Sequence, residues 1–540
     1  MRPRRPRAPC LGAAAALPLV AALAAAGGAA EPRSAIPWLS ESIQAVAPPP
    51  APAPGPAPAP EGAPPTDDTI TVTPLPAVSR DAIGLLPPES TGFARRLWDG
   101  QPAEAVRDEI LDAPGTGVPA TQALFQRLLL AEADPPEGAG AETSVLVARL
   151  DRLLDIGALE QAEALVEAAG PDTPELFRRW FDIGLLLDRA AEPCAALRQN
   201  PALSPTLPAR VFCLARGGDW SAAEITLTLG EQLGQIDGDE QALLARFLDP
   251  ELFEEAEEPP LPDPLTPLDF LMREAVGLPR PPGPLPNAFL VQDMTERTPM
   301  RMRVEAAERL ALSGAIDDGP LFAAYRSGQP AASGGVWDRA QAVQALDAAL
   351  DTGPDGGPDS GPNGGPDGAG DIAPRLAAAD AALSGRGLRV ALARAYADRL
   401  AALDAAAWPE ADRARLAELL LLAGRPDAAA AVPATGPRVA TALALTTARP
   451  SPDPASELAR FALAGLTANA AADDRERRLA GLVAAGRQGE ALLDALSLVA
   501  AGPAVDPQGL RAALLTLRLA GQEAAARTIA VETLLAGPAR

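Results

Sequence analysis

The sequence contains no histidine and no lysine, so all 46 of its basic residues are arginines. These absences exclude Ser-His-Asp triads, imidazole metal ligands, Schiff-base lysines and phosphate-binding loops that depend on lysine. Aromatic residues make up only 4% of the 540 residues, whereas hydrophobic residues reach 47%, mostly as alanine and leucine. At about 150 residues per domain, the length suggests three or four domains.

Long apolar runs are scarce, and the first one follows a cluster of positive charge. Four arginines among residues 2–7 precede the apolar residues 11–26, and small residues come next. This arrangement predicts a secretory signal peptide at residues 1–30. No later stretch has the eighteen consecutive apolar residues of a membrane span. We therefore expect a periplasmic or secreted protein without an integral span beyond the signal, anchored at its N-terminus if the signal is not cleaved.

Positive charge is also scarce relative to negative charge. The net charge is −25, and it becomes −29 once the signal peptide, with its four arginines and no acids, is removed. Such a chain is repelled by phosphate backbones and by anionic lipid surfaces. This excludes nucleic acid as an expected partner.

Cysteine is rare, and two of the three cysteines follow the signal peptide. Cys194 and Cys213 are the remaining pair in an exported chain, which favours one disulfide in an oxidising compartment. Closing a loop of this length contributes roughly 3 kcal/mol in the chain-entropy account. The alternative is two buried thiols that act as small apolar side chains.

Proline and glycine, by contrast, are abundant and divide the chain. The run at 47–65 alternates proline with alanine and predicts an extended polyproline spacer. The alternating β-branched residues at 69–73 predict one short strand, which pairs either with its own body or with a partner's sheet. Residues 351–371 are almost entirely turn formers.

The intervening segments show helical periodicity, as in Leu146, Leu150, Leu153 and Leu154. We therefore predict an all-α fold with a long disordered N-terminal segment. The predicted divisions are a signal peptide (1–30), a disordered Pro/Ala-rich spacer (31–84), an N-terminal helical-repeat domain (85–248), an acidic Pro-rich connector with a short helix (249–300), a middle helical segment (301–350), a Gly/Pro/Asp low-complexity loop (351–371) and a C-terminal Ala-rich helical-repeat domain (372–540).

A glycine followed five residues later by an alanine recurs after leucine- or valine-bearing stretches. Glycine can adopt the left-handed conformation that ends a helix, and alanine lets the next helix approach closely. The predicted turn glycines are Gly100, Gly157, Gly218, Gly424, Gly486 and Gly521.

Two segments with this pattern, residues 153–169 and 214–230, resemble tetratricopeptide-like repeats in the small residue at the turn and the alanine that opens the second helix. The Trp and Tyr positions and the terminal proline of that family are not regularly present. The resemblance implies stacked helical hairpins in an α-solenoid whose concave face binds proteins or peptides. The alternative is an irregular helical array without a groove.

No motif in the sequence points to catalytic, cofactor-binding or metal-binding residues. The Asp residues of 351–371 lack the register and closing glutamate of calcium loops. Small residues lead directly into a tryptophan-bearing helix near position 335, which makes this segment a candidate contact surface. Its residues are Ser333, Gly334, Gly335 and Trp337.

These observations predict a non-enzymatic scaffold or adaptor that binds another protein or peptide of the cell envelope. One alternative is a non-catalytic accessory of peptidoglycan metabolism, resembling the α-superhelix of lytic transglycosylases. Glu-Ser pairs occur at Glu41 and Glu89, but the second catalytic motif of that family does not follow them. A further alternative is a hydrolase that uses carboxylates alone. A continuous exposed apolar groove would favour the adaptor, and a shallow cleft lined with aromatic rings would favour the accessory. A groove-lining cluster of Asp and Glu with one strongly raised pKa would favour the hydrolase.

Overall fold

The protein is all-α wherever its structure is described, which confirms the predicted fold class. The computed structural model describes residues 79–139, 144–251, 257–352, 372–434, 436–449 and 453–536. Within these ranges the β-type pairings are two isolated bridges, Leu86 with Ala131 and Pro102 with Glu137. The predicted signal peptide, the strand at 69–73 and residues 353–371 of the low-complexity loop lie outside the described residues.

Twenty-six α-helices are assigned in the described ranges, together with four short 3-10 turns. The first thirteen helices are α1 (Pro88–Thr91), α2 (Ala103–Asp112), α3 (Pro119–Leu130), α4 (Ser144–Ile156), α5 (Leu159–Ala169), α6 (Pro174–Leu186), α7 (Ala191–Gln199), α8 (Leu207–Arg216), α9 (Trp220–Gln232), α10 (Gly238–Leu248), α11 (Pro267–Ala275), α12 (Asn287–Leu290) and α13 (Met300–Leu312). The others are α14 (Asp318–Arg326), α15 (Val336–Thr352), α16 (Ile372–Ser384), α17 (Arg389–Ala395), α18 (Ala397–Ala401), α19 (Glu410–Leu422), α20 (Pro426–Ala431), α21 (Pro437–Thr447), α22 (Glu457–Thr467), α23 (Asp474–Ala484), α24 (Gln488–Leu498), α25 (Pro507–Leu519) and α26 (Glu523–Leu535). None of these helices is long and apolar enough to span a bilayer.

Several helices begin where a short polar side chain can satisfy a free backbone N–H. Thr173 accepts a hydrogen bond from the backbone of α6, and Thr206 does the same for α8. Asp473 accepts from the backbone N–H of Glu476 at 2.8 Å in the first turn of α23. A proline in the first turn is common because its missing N–H would have no helical partner there.

The six predicted turn glycines all have left-handed backbone conformations, with φ between 69° and 89°. Five of them lie between helices in direct contact, namely α4 and α5, α8 and α9, α19 and α20, α23 and α24, and α25 and α26. Gly100 instead follows an irregular turn and precedes α2. At Gly157 a Cβ would lie 2.8 Å from Leu310 Cδ2, so this corner also requires a residue without a side chain.

The buried apolar side chains form two separate clusters. The main cluster joins α2–α5 with helices from α12 to α26. The second cluster is built by α6–α11 and includes both cysteines. Helix α6 contributes to both, since Leu176 and Ile183 face the main cluster while Phe177 and Phe181 face the second. We call residues 174–275 the cysteine module.

Helices near the start and end of the described chain are in direct contact. The backbone N–H of Ala94 donates to Gln488 Oε1 at 2.8 Å, and Gln522 Nε2 donates to the carbonyl of Gly92 at 3.0 Å. The backbone N–H of Gly489 donates to the carbonyl of Leu97 at 2.8 Å. In a simple solenoid each repeat touches only its neighbours. The main cluster therefore contains long-range closure in addition to neighbour-to-neighbour packing.

A further contact between distant parts of the chain is expected to make the stability of the fold depend on pH. Glu532 on α26 is buried and accepts a hydrogen bond from the backbone N–H of Ala120 at 2.7 Å. Desolvation raises the pKa of Glu532 to about 7, although this hydrogen bond and the Arg394 charge act in the opposite direction. In the unfolded chain the carboxyl ionises near its ordinary pKa of 4.5. Stability is therefore expected to fall as pH rises from about 4.5 to about 7.

We expect Glu532→Gln to remove this loss, because a neutral amide oxygen can still accept from Ala120. The unfolding free energy of the variant minus that of the wild type should be at least about 1 kcal/mol larger at pH 8 than at pH 5, since one pKa unit corresponds to about 1.36 kcal/mol. Urea unfolding at both pH values measures the difference. The control is Glu523→Gln on the same helix, where the carboxylate is exposed and pairs with Arg527. Equal pH dependence in the wild type and in Glu532→Gln would contradict the assignment.

Candidate functional site

The predicted disulfide lies at the centre of the cysteine module. The sulfur atoms of Cys194 and Cys213 are 1.95 Å apart, and their Cα atoms are 5.1 Å apart. Both side chains are buried, and the bond joins α7 to α8. The module thus has a covalent link as well as its own apolar cluster.

The predicted contact surface lies elsewhere, at the start of α15. Ser333, Gly334 and Gly335 are exposed, while Trp337 is half-buried and packs against the main cluster. The carboxylate of Asp338 accepts a hydrogen bond from the backbone N–H of Gly334 at 2.7 Å. The structure therefore does not bring this segment into the cysteine module.

Helix α9 carries an exposed apolar surface that the sequence analysis did not single out. Trp220, Ile225, Leu229 and Leu233, the last just beyond the helix end, are 51–70% exposed. Ile225, Leu229 and Leu233 are four residues apart and therefore line one stripe. We call these three residues, Ile225, Leu229 and Leu233, the α9 face. Trp220, at the start of the helix, is 52% exposed and lies on a different side of α9 from this stripe.

The opposite side of α9 is also apolar. Ala223, Leu227 and Gly230 are buried and face the module. A Cβ on Gly230 would lie 2.7 Å from Ile236 Cδ1, so the helix packs closely on that side. The buried side of α9 packs the helix against the module, and the exposed stripe lies outside that packing.

A second feature of the cysteine module is a cleft of about 640 Å³. It lies between α6, α8, α10, α11 and the proline-rich segment 260–264. Its apolar lining includes the buried side chains of Phe181, Leu243 and Leu268. Its acidic lining residues are Asp182, Asp237, Asp239, Glu240, Asp263 and Asp269. We call this cavity the acidic cleft.

Some of these acids also cap helices. Asp237 Oδ1 accepts from the backbone N–H groups of Asp239 and Glu240, at 3.0 and 2.8 Å. Asp269 Oδ2 accepts from the hydroxyl of Thr266 at 2.6 Å and from its backbone N–H at 3.2 Å, completing a capping box. Carboxylates are stabilised at such positions by the helix dipole. The two capping acids thus position α10 and α11 around the acidic cleft.

Burial and neighbouring carboxylates raise the pKa of two acids of the cleft. Desolvation, together with the charges of Asp269 and Asp237, raises the pKa of Glu240 to about 7. Desolvation also raises the pKa of Asp269, against the hydrogen bonds from Thr266 and the charge of Arg178. A positive charge placed beside Glu240 would therefore be stabilised.

Arg178 is the arginine among the residues that line the acidic cleft. Its side chain is only 9% exposed, and Nε donates to Asp182 Oδ2 at 2.7 Å. Its Nη1 atom is buried and has no hydrogen-bond partner among the described residues. A buried guanidinium N–H without an acceptor costs free energy, so an acceptor supplied from outside would be favourable.

The proline-rich segment beside the cleft is held by an arginine of α11. Arg273 Nη1 donates to the carbonyls of Pro259 and Pro260 at 3.0 and 3.2 Å. Within the described ranges, no group of three Cys, Asp or Glu side chains has the geometry to hold a metal ion. The acids of the cleft come from α6, α10, α11 and the segments beside them.

The parts of this site come from distant positions in the sequence. The N-terminal acids of α10 and α11 could have been noted as caps, but nothing in the sequence places them beside Arg178. Comparison with protein-family models, curated proteins and solved structures finds no match. The fold and site define an all-helical protein with a disulfide-linked module that carries an apolar face and an acidic cleft.

Proposed function

We propose that this protein is an exported, non-enzymatic helical-repeat adaptor of the cell envelope that binds a partner protein through the α9 face. The observation that carries the proposal is the exposure of three large apolar side chains, Ile225, Leu229 and Leu233, along one stripe of a helix. Contiguous exposed apolar surface on a soluble domain is typical of a protein-binding site. The disulfide supports an oxidising compartment, in agreement with the predicted signal peptide.

The charge around the α9 face indicates what the partner presents. Asp219, Glu224 and Glu231 are exposed on or beside α9, and the whole chain has a net charge of −25. Apolar stripes of this kind pack against amphipathic helices, and complementary charge sets the orientation of the pair. The partner is therefore an amphipathic helix whose apolar stripe is flanked by basic residues.

The test compares two leucine substitutions in the full-length exported protein. Leu229→Glu places a charge in the centre of the α9 face. Leu519→Glu is the matched control, since Leu519 is an equally exposed helical leucine outside the cysteine module. After affinity purification from the native envelope, we expect a partner that Leu229→Glu loses at least about tenfold, equivalent to 1.4 kcal/mol, while Leu519→Glu retains it. Equal recovery with both variants would overturn the proposal.

A second candidate is the carboxylate hydrolase, and the raised pKa of Glu240 is the observation that favours it. A carboxyl that keeps its proton near neutral pH can act as a general acid beside an ionised carboxylate. Incubation of the pure protein with peptidoglycan tests this candidate. Cleavage by the wild type that is lost in Glu240→Gln would place the hydrolase first. Intact peptidoglycan leaves the adaptor as the better-supported function.

A further inference from the structure

The acidic cleft combines features that together select one kind of ligand. Its walls carry more carboxylates than the single arginine can neutralise. Five lining residues are prolines, which have no backbone N–H to donate. Most polar groups of the lining are thus hydrogen-bond acceptors, and a complementary ligand must bring donors and positive charge.

Arg178 is an exception among the lining residues because its guanidinium group donates hydrogen bonds. This donor narrows the choice of ligand. Its Nη1 atom is buried, lacks a partner among the described residues and belongs to a side chain that lines the cleft. A backbone carbonyl of a ligand would satisfy this donor, and a simple polyamine has no such oxygen. The apolar side chains of Phe181, Leu243 and Leu268 suit the aliphatic stem of a lysine or an arginine.

We infer that the acidic cleft binds an extended peptide segment that carries lysine or arginine side chains. The ammonium or guanidinium group lies beside Glu240 and Asp239, its stem packs on the apolar lining, and a backbone carbonyl accepts from Arg178 Nη1. This inference rests on the proposed adaptor function and adds a second contact with a basic partner in the same module. Since α9 and α10 pack against each other, one partner can reach both surfaces.

The test uses the purified full-length protein and the peptide acetyl-(Ala-Lys)4-amide, with calorimetry as the readout. We expect binding that weakens with salt, and no binding of acetyl-(Ala-Glu)4-amide. The double variant Asp239→Asn/Glu240→Gln should weaken binding at least about tenfold. The matched control is Asp474→Asn, an acid of α23 whose side chain is 97% exposed, and it should leave the affinity unchanged. Equal affinity of the wild type and the double variant would overturn the inference.

The conservative substitution Arg178→Lys separates a peptide from a polyamine. Lysine keeps the charge opposite Asp182 but lacks the second guanidinium nitrogen. We expect weaker binding of the lysine peptide and unchanged binding of spermidine. A peptide affinity that is unaffected by Arg178→Lys would overturn the carbonyl contact. The peptide recovered after the measurement should be intact. Cleavage of the peptide would overturn the binding role and support the hydrolase.

The pH dependence gives an independent readout. The charged groups that line the cleft with Glu240 are Asp237 and Asp239 at the start of α10, Asp269 on α11, Arg178 and Asp182 on α6, and Asp263 in the segment 260–264. As Glu240 loses its proton between pH 6 and pH 8, affinity for the lysine peptide should rise, and Glu240→Gln should flatten this rise.

The inference about the cleft and the proposal about the α9 face can fail separately. If the lysine peptide fails to bind while Leu229→Glu still releases the envelope partner, only the cleft inference is overturned. A lysine peptide that binds while Leu229→Glu and Leu519→Glu behave alike overturns only the α9 face.

Discussion

Replacing Arg149 with methionine should cost about 3–5 kcal/mol of unfolding free energy, the largest loss we expect from any single substitution considered. The Arg149 side chain is buried on α4, where Nη1 donates to the carbonyl of Ile83 at 2.7 Å and Nη2 to that of Ala131 at 3.0 Å. Its Nε donates to the carbonyl of Leu129. One guanidinium therefore satisfies three backbone carbonyls, one directly after the first 3-10 turn and two at the C-terminal end of α3.

Methionine fills a similar volume but donates nothing, so these carbonyls would be buried without partners. An unsatisfied buried polar group costs about 1–3 kcal/mol. Burial lowers the pKa of Arg149 to about 10, partly offset by Asp81, so the side chain stays charged at neutral pH. The backbone N–H of Leu146 donates to the same Asp81 at 2.8 Å. The variant would leave that carboxylate without its nearest positive charge.

Chemical denaturation followed by circular dichroism measures the loss. Arg96→Met is the control, since Arg96 is largely exposed and its nearest acid, Asp99, is 3.6 Å away. We expect the control to change stability by less than about 0.5 kcal/mol. A loss below about 1 kcal/mol in Arg149→Met would show that water or movement of the chain satisfies the carbonyls instead.

The second large effect is expected from the disulfide. Replacing both Cys194 and Cys213 with alanine should destabilise the cysteine module by roughly 3 kcal/mol, because the bond closes a 19-residue separation and limits the unfolded chain. Alanine keeps both buried positions apolar, so the loss reports mainly the bond. The expected result is earlier melting of the module, with weaker binding at both the α9 face and the acidic cleft.

Reduction provides the matched control for this variant. Dithiothreitol should lower the melting temperature of the wild type and leave that of the double-alanine variant unchanged. Labelling of unfolded, unreduced protein at Cys194 by a thiol reagent would contradict the bond. Equal stability of the wild type and the variant would show that the apolar cluster alone holds α7 against α8.

Local sequence pattern predicted much of the helical structure. Leu146, Leu150, Leu153 and Leu154 recur at helical spacing, and all four are buried on α4. Asp473 marks the start of α23, and its carboxylate caps that helix. Such features depend on residues three or four positions apart, so a linear pattern is enough to reveal them.

Local sequence pattern did not predict which side of α9 is buried. Leu227 and Leu229 are both leucines in the same helix, yet the first is buried and the second is about half exposed. Periodicity shows that α9 is apolar on two sides, but the choice of inner side depends on α8, α10 and Ile236 packing against it. The exposure of Trp220 likewise depends on how α9 packs, which the local sequence pattern does not show.

The sequence by itself determined the helical class, the turn glycines as candidates for left-handed corners, the one candidate pair of cysteines and the acidic charge, because each depends on residue type or short-range spacing. Only the tertiary structure decided that elements near the start and end of the described chain touch, that an apolar stripe stays exposed, and that Arg178, Glu240 and Asp269 line one cleft. These residues are separated by tens of positions along the chain. Their juxtaposition follows from how whole helices pack to bury apolar surface, and that packing is a property of all the helices together.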